Sequence, residues 1–382
     1  LFAYGIFKVL YAPFKAFREI IENPQYIGPI LIMILFVLGN VGSIYIVVSR
    51  TYVEQTLPET SKLDEWTENK TLWTPVASEN FIDYVNGSCL GNRSLEFQIL
   101  DSTFMQMQLD NPQPVNCSGI EGYKNMSFRL KLIASEPNSS IISLHSSSTD
   151  YFYYDFEVNL TSLETGRWDN FTIQIGPESR GWSNNGTQPD WSSITNVRFV
   201  FRWPEPVNAT VRIDGLFFRG VFISELRNVS NHILSFSVSS VMQFTIRWFI
   251  LSGIIFLASK ALGSQTAWKP VLIVVGFTFI VLIIQSLINI GVYANLSILH
   301  YPLEYFCGIK GEFEPSQDRI FEQTLFIYQV NNYVQIAISI WIIGLCAIAL
   351  RLLTEFSWTK SVLVSVLAYF VSMIAQIFLI GY

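Results

Sequence analysis

Residues 270–293 read PVLIVVGFTFIVLIIQSLINIGVY, 24 positions without a charged side chain. A helix rises 1.5 Å per residue and a bilayer's hydrocarbon core is about 30 Å thick, so about 20 apolar residues cross it. This stretch therefore reads as a membrane span. Working outward, four more stretches meet the same test: 28–48, 244–262, 333–353 and 362–382. The one at 244–262 has an uncharged, mostly apolar extension at 233–242. Residues 28–48 are too long for a signal-peptide core and lack a cleavage site. The chain opens on Leu1 rather than Met, so preceding residues or a processed leader are expected.

The rest of the chain is built differently. Only 14% of the 382 residues are charged, against about 25% in a soluble domain, yet residues 51–229 hold 22 acids and 13 bases. That segment carries −9 of a total of −6, leaving +3 elsewhere. The chain is thus a composite of a helical bundle and an acidic soluble insert. An acidic insert excludes nucleic acid as its partner.

Orientation follows from the short loops. With the N-terminus inside, Lys8, Lys15, Arg18, Lys260, Lys269, Arg351 and Lys360 fall on the inner side, against only Glu19, Glu22 and Glu355. Asn-x-Ser/Thr sequons give an independent check. They occur at Asn69, Asn86, Asn92, Asn116, Asn125, Asn138, Asn159, Asn170, Asn185, Asn208, Asn228 and Asn295, all on the outer side. Twelve sites confined to one side point to a glycosylated exterior. The expected organisation is an inner-surface amphipathic segment at 1–27, a first span at 28–48, a glycosylated extracellular sandwich at 51–229, and a four-span bundle at 233–382 with an outer loop at 295–332. Pro13 should split the N-terminal segment into two short helices. In an oxidising exterior Cys89 is expected to pair with Cys117, Cys307 being the competing partner if the outer loop folds back.

Within the insert the apolar period becomes two, the signature of strands with one buried face. Met126, Phe128, Leu130 and Leu132 alternate with Ser127, Arg129 and Lys131, and Phe152, Tyr154, Phe156 and Val158 with Tyr151, Tyr153, Asp155 and Glu157. Val197, Phe199 and Phe201 alternate with Arg198, Val200 and Arg202. One buried face per strand requires two packed sheets. The fold class is therefore a five-helix membrane bundle with an inserted all-β jelly-roll sandwich. Tyr151, Tyr153, Asp155 and Glu157 share an outward face and form the candidate ligand face. Asn125 and Asn170 share outward parity on their strands, so glycans there are expected to crowd that face.

The run Trp168 to Ile175, the loop with Trp182 and Trp191, the strand Ile194 to Phe201 and the closing Ile213-Asp214-Gly215-Leu216-Phe217-Phe218 resemble carbohydrate-binding-module or galactose-binding-like jelly rolls. The bundle resembles the Yip1-domain membrane proteins, through Ala12-Pro13-Phe14-Lys15-Ala16-Phe17-Arg18-Glu19-Ile20, Asn23-Pro24 before the first span, Trp248 in the second, Ala261-Leu262-Gly263 closing it, and Pro270. That resemblance implies five spans, a cytosolic N-terminus and an outer C-terminus. The large glycosylated insert is more similar to archaeal members than to the eukaryotic trafficking ones.

Catalysis finds no footing. His145, His232 and His300 have no metal-ligand spacing, and there is no nucleophile elbow, P-loop or dinucleotide fingerprint. The polar residues within spans, Arg247, Gln285, Asn289, Gln335 and Gln376, read as interhelical glue, with Arg247 within a turn of the outer end of its span. The expected function is a non-catalytic scaffold or accessory subunit in the plasma membrane of an archaeal envelope, contacting other membrane or envelope proteins. Glycan or small-ligand reception and membrane organisation or trafficking are the alternatives. No cofactor or metal is expected beyond N-linked glycans and bound lipid, and a sugar ligand ranks below a protein partner.

Overall fold

Apart from Leu262 and Phe279, the described residues of the apolar stretches read as spans are helical in the computed structural model, which describes residues 2–60, 64–146, 153–160, 164–185 and 189–380. Among the described residues, five helical segments are long and apolar enough to cross a membrane: Ile27–Ser49, Glu225–Ala261, Trp268–Tyr293, Phe313–Thr354 and Trp358–Leu379. The chain divides into a helical unit (1–51, 224–299, 321–382) and a β unit (52–223, 300–320).

In the helical unit, α1 (Phe2–Tyr11) and α2 (Pro13–Glu22) are separated at Ala12-Pro13, where the proline ring ends the first helix. Lys8 Nζ reaches both carboxylate oxygens of Glu19 at 2.5 and 2.6 Å, pinning the two together. Ile6, Val9, Ala16 and Phe17 are buried in the bundle core, while Phe7, Tyr11 and Phe14 remain exposed. The spans are α3 (Ile27–Ser49), α5 (Val229–Ala261), α6 (Trp268–Thr278) continuing as α7 (Ile280–Tyr293), α9 (Phe313–Thr354) and α10 (Trp358–Ile380). α6 and α7 are hydrophobic on every side, and 78% of that span is buried, so it is the central helix.

Two expectations about the spans change. The outer loop expected at 295–332 includes the start of α9, a 42-residue helix, because nothing in 313–332 breaks helical geometry after Pro315 in its first turn. Arg247 lies midway along the 33-residue α5 rather than near its end, because the uncharged stretch upstream is helical too.

The β unit is a sandwich whose two layers share their longest strands. They are β1 (Thr51–Leu57), β2 (Trp73–Val76), β3 (Glu79–Tyr84), β4 (Arg93–Val115), β5 (Asn125–Ala134), β6 (Ser139–His145), β7 (Tyr153–Glu157), β8 (Trp168–Gln174), β9 (Trp182–Asn185), β10 (Ile194–Ser224) and β11 (Leu299–Tyr301). The short helices α4 (Glu65–Glu68) and α8 (Leu303–Phe306) lie in its connections. One layer runs β9-β7-β6-β10-β4-β2, the other β8-β5-β10-β4-β3, with β1 and β11 extending from β10. β10 and β4 traverse both layers. They turn between them where the β10 register shifts at Arg202, Val207 and Ala209. Pro204 and Pro206 sit at that corner, where they remove two ladder donors and let the strand change sheets.

The alternation read from sequence is the burial pattern. Met126, Phe128, Leu130, Leu132, Val197, Phe199 and Phe201 are all at most 2% exposed and meet in one core with Leu95, Met105 and Met107. Tyr154 and Val158 point into the same core, and Trp191 stacks on Tyr154 at 3.9 Å between ring centroids.

The disulfide differs from the expected Cys89–Cys117 pair. Cys89 bonds Cys307, with Cα atoms 4.2 Å apart, and Cys117 is a buried free thiol. The cause is packing. Cys117 points into the main sandwich core, whereas Cys89 and Cys307 share a separate apolar cluster with Phe217, Leu303 and Ile309. Burial pushes the Cys117 thiol up to about 12, which keeps it protonated and unreactive.

Candidate functional site

Strand parity puts one polar side chain per strand into a row across the first layer. Because Val197, Leu144, Leu109, Trp73 and Tyr154 face the core, their neighbours face outward. Cα pairing aligns Ser183, Asp155, Ser143, Arg198, Gln108 and Thr74 on β9, β7, β6, β10, β4 and β2. At about 4.8 Å per strand the row is roughly 24 Å long. A second row places Tyr153, His145, Asn196 and Asp110 beside it.

Hydrogen bonds tie the rows together. Ser143 Oγ donates to Asp155 Oδ1 at 2.5 Å. Arg198 donates from Nε and Nη2 to Gln108 Oε1 at 3.0 and 2.7 Å. Gln108 Nε2 and Asn196 Nδ2 each donate to Asp110 Oδ1 at 2.7 Å, and Thr74 Oγ1 donates to Asp110 Oδ2 at 3.1 Å. Burial raises the Asp155 carboxyl above its ordinary value, while the Ser143 hydrogen bond and the Arg198 charge oppose this. The result is a preorganised strip of donors and acceptors, bordered on the same face by the paired Ile141 and Val200.

Of the residues expected to form a ligand face, Tyr153, Asp155 and Glu157 lie together on β7, with the Tyr153 ring 5.2 Å from that of His145. Tyr151 lies outside the described residues. The partners Ser143, Arg198, Gln108, Asn196 and Asp110 went unread in the sequence. Outward parity on their own strands was the available signal, but only pairing register brings them to Asp155.

The sequon objection to this face shifts to other residues: Asn185 on β9 pairs with Tyr153 in the second row, and Asn159 lies just after the end of β7. Asn125 and Asn170 sit on β5 and β8, which belong to the other layer. β5 and β8 join β10 through residues 209–219, whereas β6 joins it through 196–202. Among the sequons whose side chains are described, Asn69 and Asn125 are half-buried and the others exposed. Asn170 is engaged: its Oδ1 accepts from Arg129 Nε at 3.1 Å and its Nδ2 donates to Glu312.

The carboxylates Asp64 and Asp214 also come together, but both are fully buried and cannot meet a substrate. Asp214 pairs with Arg129 Nη1 at 3.0 Å, and Asp64 Oδ2 accepts from the Gly215 backbone N–H at 2.6 Å. Gly215 has φ +63°, a conformation suited to glycine at this close approach.

In the helical unit, Arg247, Gln285, Asn289, Gln335 and Gln376 converge on one cavity, and Arg247 on α5 also donates to the Tyr369 hydroxyl on α10. The Yip1 domain profile matches residues 189–380, half of the chain, taking in β10 and every span after the first. The chain belongs to the Yip1 domain family. In this Yip1-domain protein the motif at 12–20 falls outside the matched residues. No curated protein matches its sequence. Solved structures similar to it include an exo-β-agarase, at 10% identity over 41% of this chain and 24% of the agarase, TM-score 0.30. They also include the family 11 carbohydrate-binding module of the Clostridium thermocellum cellulosomal cellulase Lic26A-Cel5E, at 15% identity over 44% of this chain and 95% of the module, TM-score 0.29. The Yip1-domain protein thus spans about a quarter of the agarase's length.

Proposed function

We propose that this membrane protein is a binding protein rather than an enzyme, and that the outward face of its first β layer takes a hydroxyl-rich ligand of the glycan class. The observation that carries this reading is the hydrogen-bonded row Asp155–Ser143 and Arg198–Gln108–Asp110 on the face turned away from the sandwich core, where Ser143 is buried, Asp155, Arg198 and Gln108 are half-buried and Asp110 is exposed. A protein contact site is depleted of charge at its centre and built on apolar anchors. The two rows on this face are instead charged and hydrogen-bonded, and their paired acceptors and donors suit the hydroxyls of a sugar, with Ile141 and Val200 beside them. The orientation that goes with this reading keeps the N-terminus cytoplasmic and the β unit extracellular, as the Lys/Arg asymmetry and the one-sided sequons support. Asn185 pairs with Tyr153 at the β9 edge of this face, so the reading holds with that sequon left unglycosylated.

The test is binding of the full-length protein in mild detergent to an oligosaccharide array, followed by calorimetry. A defined oligosaccharide should bind saturably, and Asp155→Ala or Gln108→Ala should weaken it about tenfold or more, the cost of one hydrogen bond to a charged or preorganised group. No saturable binding, with a stoichiometric protein partner retained through purification, would replace this reading by the scaffold.

A further inference from the structure

We propose that the cavity around Arg247 in the helical unit binds the phosphate-bearing headgroup of a membrane lipid, entering sideways past α10. The cavity measures about 620 Å³ and is lined by the amides of Asn40, Gln243, Gln285, Asn289, Gln335 and Gln376. Arg247 contributes its one formal charge. Residues 27–49, 229–261, 268–293, 323–354 and 358–380 contain no Asp or Glu, and among the described residues Arg247 makes no salt bridge with Glu314, Asp318 or Glu322 at the start of α9. The guanidinium instead donates to the Tyr369 hydroxyl and lies over the Tyr369 and Phe279 rings at 5.1 and 5.8 Å. Ser339 and Tyr369 share a hydrogen bond of 2.6 Å, so the cation is held by a rigid neutral shelf spanning α5, α9 and α10.

A cation inside a low-dielectric bundle calls for an anion, and the protein supplies none. The lining also holds unused polar capacity. Asn289 Oδ1 is buried without a hydrogen-bond partner among the described residues. A lone carboxylate would leave most of this volume unfilled and would not reach Gln285, Asn289, Gln335 and Gln376 together. A phosphate with a hydroxylated head matches both the charge and the surplus of amide groups.

The remaining lining indicates where such a molecule comes from. Met373 and Ile377 border the cavity from α10 and are 46% and 45% exposed, continuous with exposed Phe370, Ile374 and Phe378 on the same helix. Acyl chains would lie along this apolar flank while the head reaches Arg247. Buried Phe244 and Leu282 also line the cavity, and an adjoining cavity shares its Asn40, Gln243, Asn289 and Tyr293 walls.

The test uses the full chain in nanodiscs of dioleoyl phosphatidylcholine doped with dioleoyl phosphatidylglycerol, with bound lipid counted by native mass spectrometry. Phosphatidylglycerol should be retained in preference to phosphatidylcholine, and Arg247→Gln should weaken that preference about tenfold or more, with Arg247→Lys intermediate. If Arg247→Gln fails to fold, Asn289→Leu combined with Gln376→Leu keeps the charge and should still reduce the preference. Equal retention of both lipids by the wild type, or an unchanged preference in folded variants, would overturn the proposal. Thermal stabilisation by free glycerol 3-phosphate equal to that by the lipid would overturn the lipid assignment.

Discussion

Asp64 and Asp214 show how much a single pair of side chains depends on the fold around it. Burial, followed by the neighbouring Asp214 charge, pushes Asp64 up to about 8. Burial also raises Asp214, to about 6, with the Arg129 charge opposing it. One guanidinium therefore balances one carboxylate, and the second is held protonated at neutral pH. Both values lie above the unfolded carboxylate range, so the protonated forms favour the fold. Their stabilising contribution is complete below about pH 4 and is lost as pH rises through about 6 and 8. The β unit should accordingly melt several degrees lower at pH 9 than at pH 5, as followed by tryptophan fluorescence. Asp64→Asn keeps an oxygen acceptor for the Gly215 N–H and should flatten that dependence, raising the melting point at pH 9. A variant with the wild-type slope would show that another group carries it. Asp214 was visible in the sequence as one carboxylate in an Ile-Asp-Gly run. Its partner lies 150 positions earlier, a separation no local pattern bridges.

At the scale of elements, the first and third spans run parallel and touch through glycines. A Cβ on Gly28 would meet the Phe277 ring, one on Gly39 would lie 2.2 Å from Ser286 Oγ and 2.6 Å from Ser286 Cβ, and one on Gly42 would approach Ile290 at 3.2 Å. Small residues let backbones approach in a setting where water provides no drive for association. Gly39→Ala should therefore cost roughly 1–3 kcal/mol through overpacking, measured as a lower melting point in detergent. The double variant Gly39→Ala, Ser286→Gly should recover most of the loss, and Gly344→Ala, with nothing within 4 Å of its Cβ, should be neutral. Failure of the double variant to recover stability would assign the cost to the helix backbone and not to the contact.

At the scale of the whole molecule, the proposed orientation places the β unit and every sequon on one side of the membrane. Protease added to intact cells should remove the β unit and leave the spans, and treatment with an N-glycosidase should lower the apparent mass. A β unit protected until the membrane is opened would reverse the orientation. Residues 300–320 return to the β unit, although an α-helical hairpin separates them from it in sequence. Cys89–Cys307 is one tie. Another is Arg219, which bonds Glu54 from Nε and Nη2 at 2.8 Å each and Glu304 from Nη1 at 2.6 Å, joining β10, β1 and α8.

The sequence by itself determined the five spans, the division into bundle and sandwich, and the inward face of each strand. These rest on runs and periods of a few residues, and burial of apolar surface enforces them wherever the chain is placed. The ends of the spans escaped that reading, because helices such as α5 and α9 continue past their most apolar part. Only the tertiary structure decided which outward residues share a row, since a slip of one position in β10 against β6 would have replaced Arg198 by a core residue opposite Ser143. It also decided that Cys307, and not Cys117, reaches Cys89, and that the polar residues of five helices surround Arg247. Each of these joins residues far apart in sequence, so it depends on how whole elements pack, and local spacing holds no record of that.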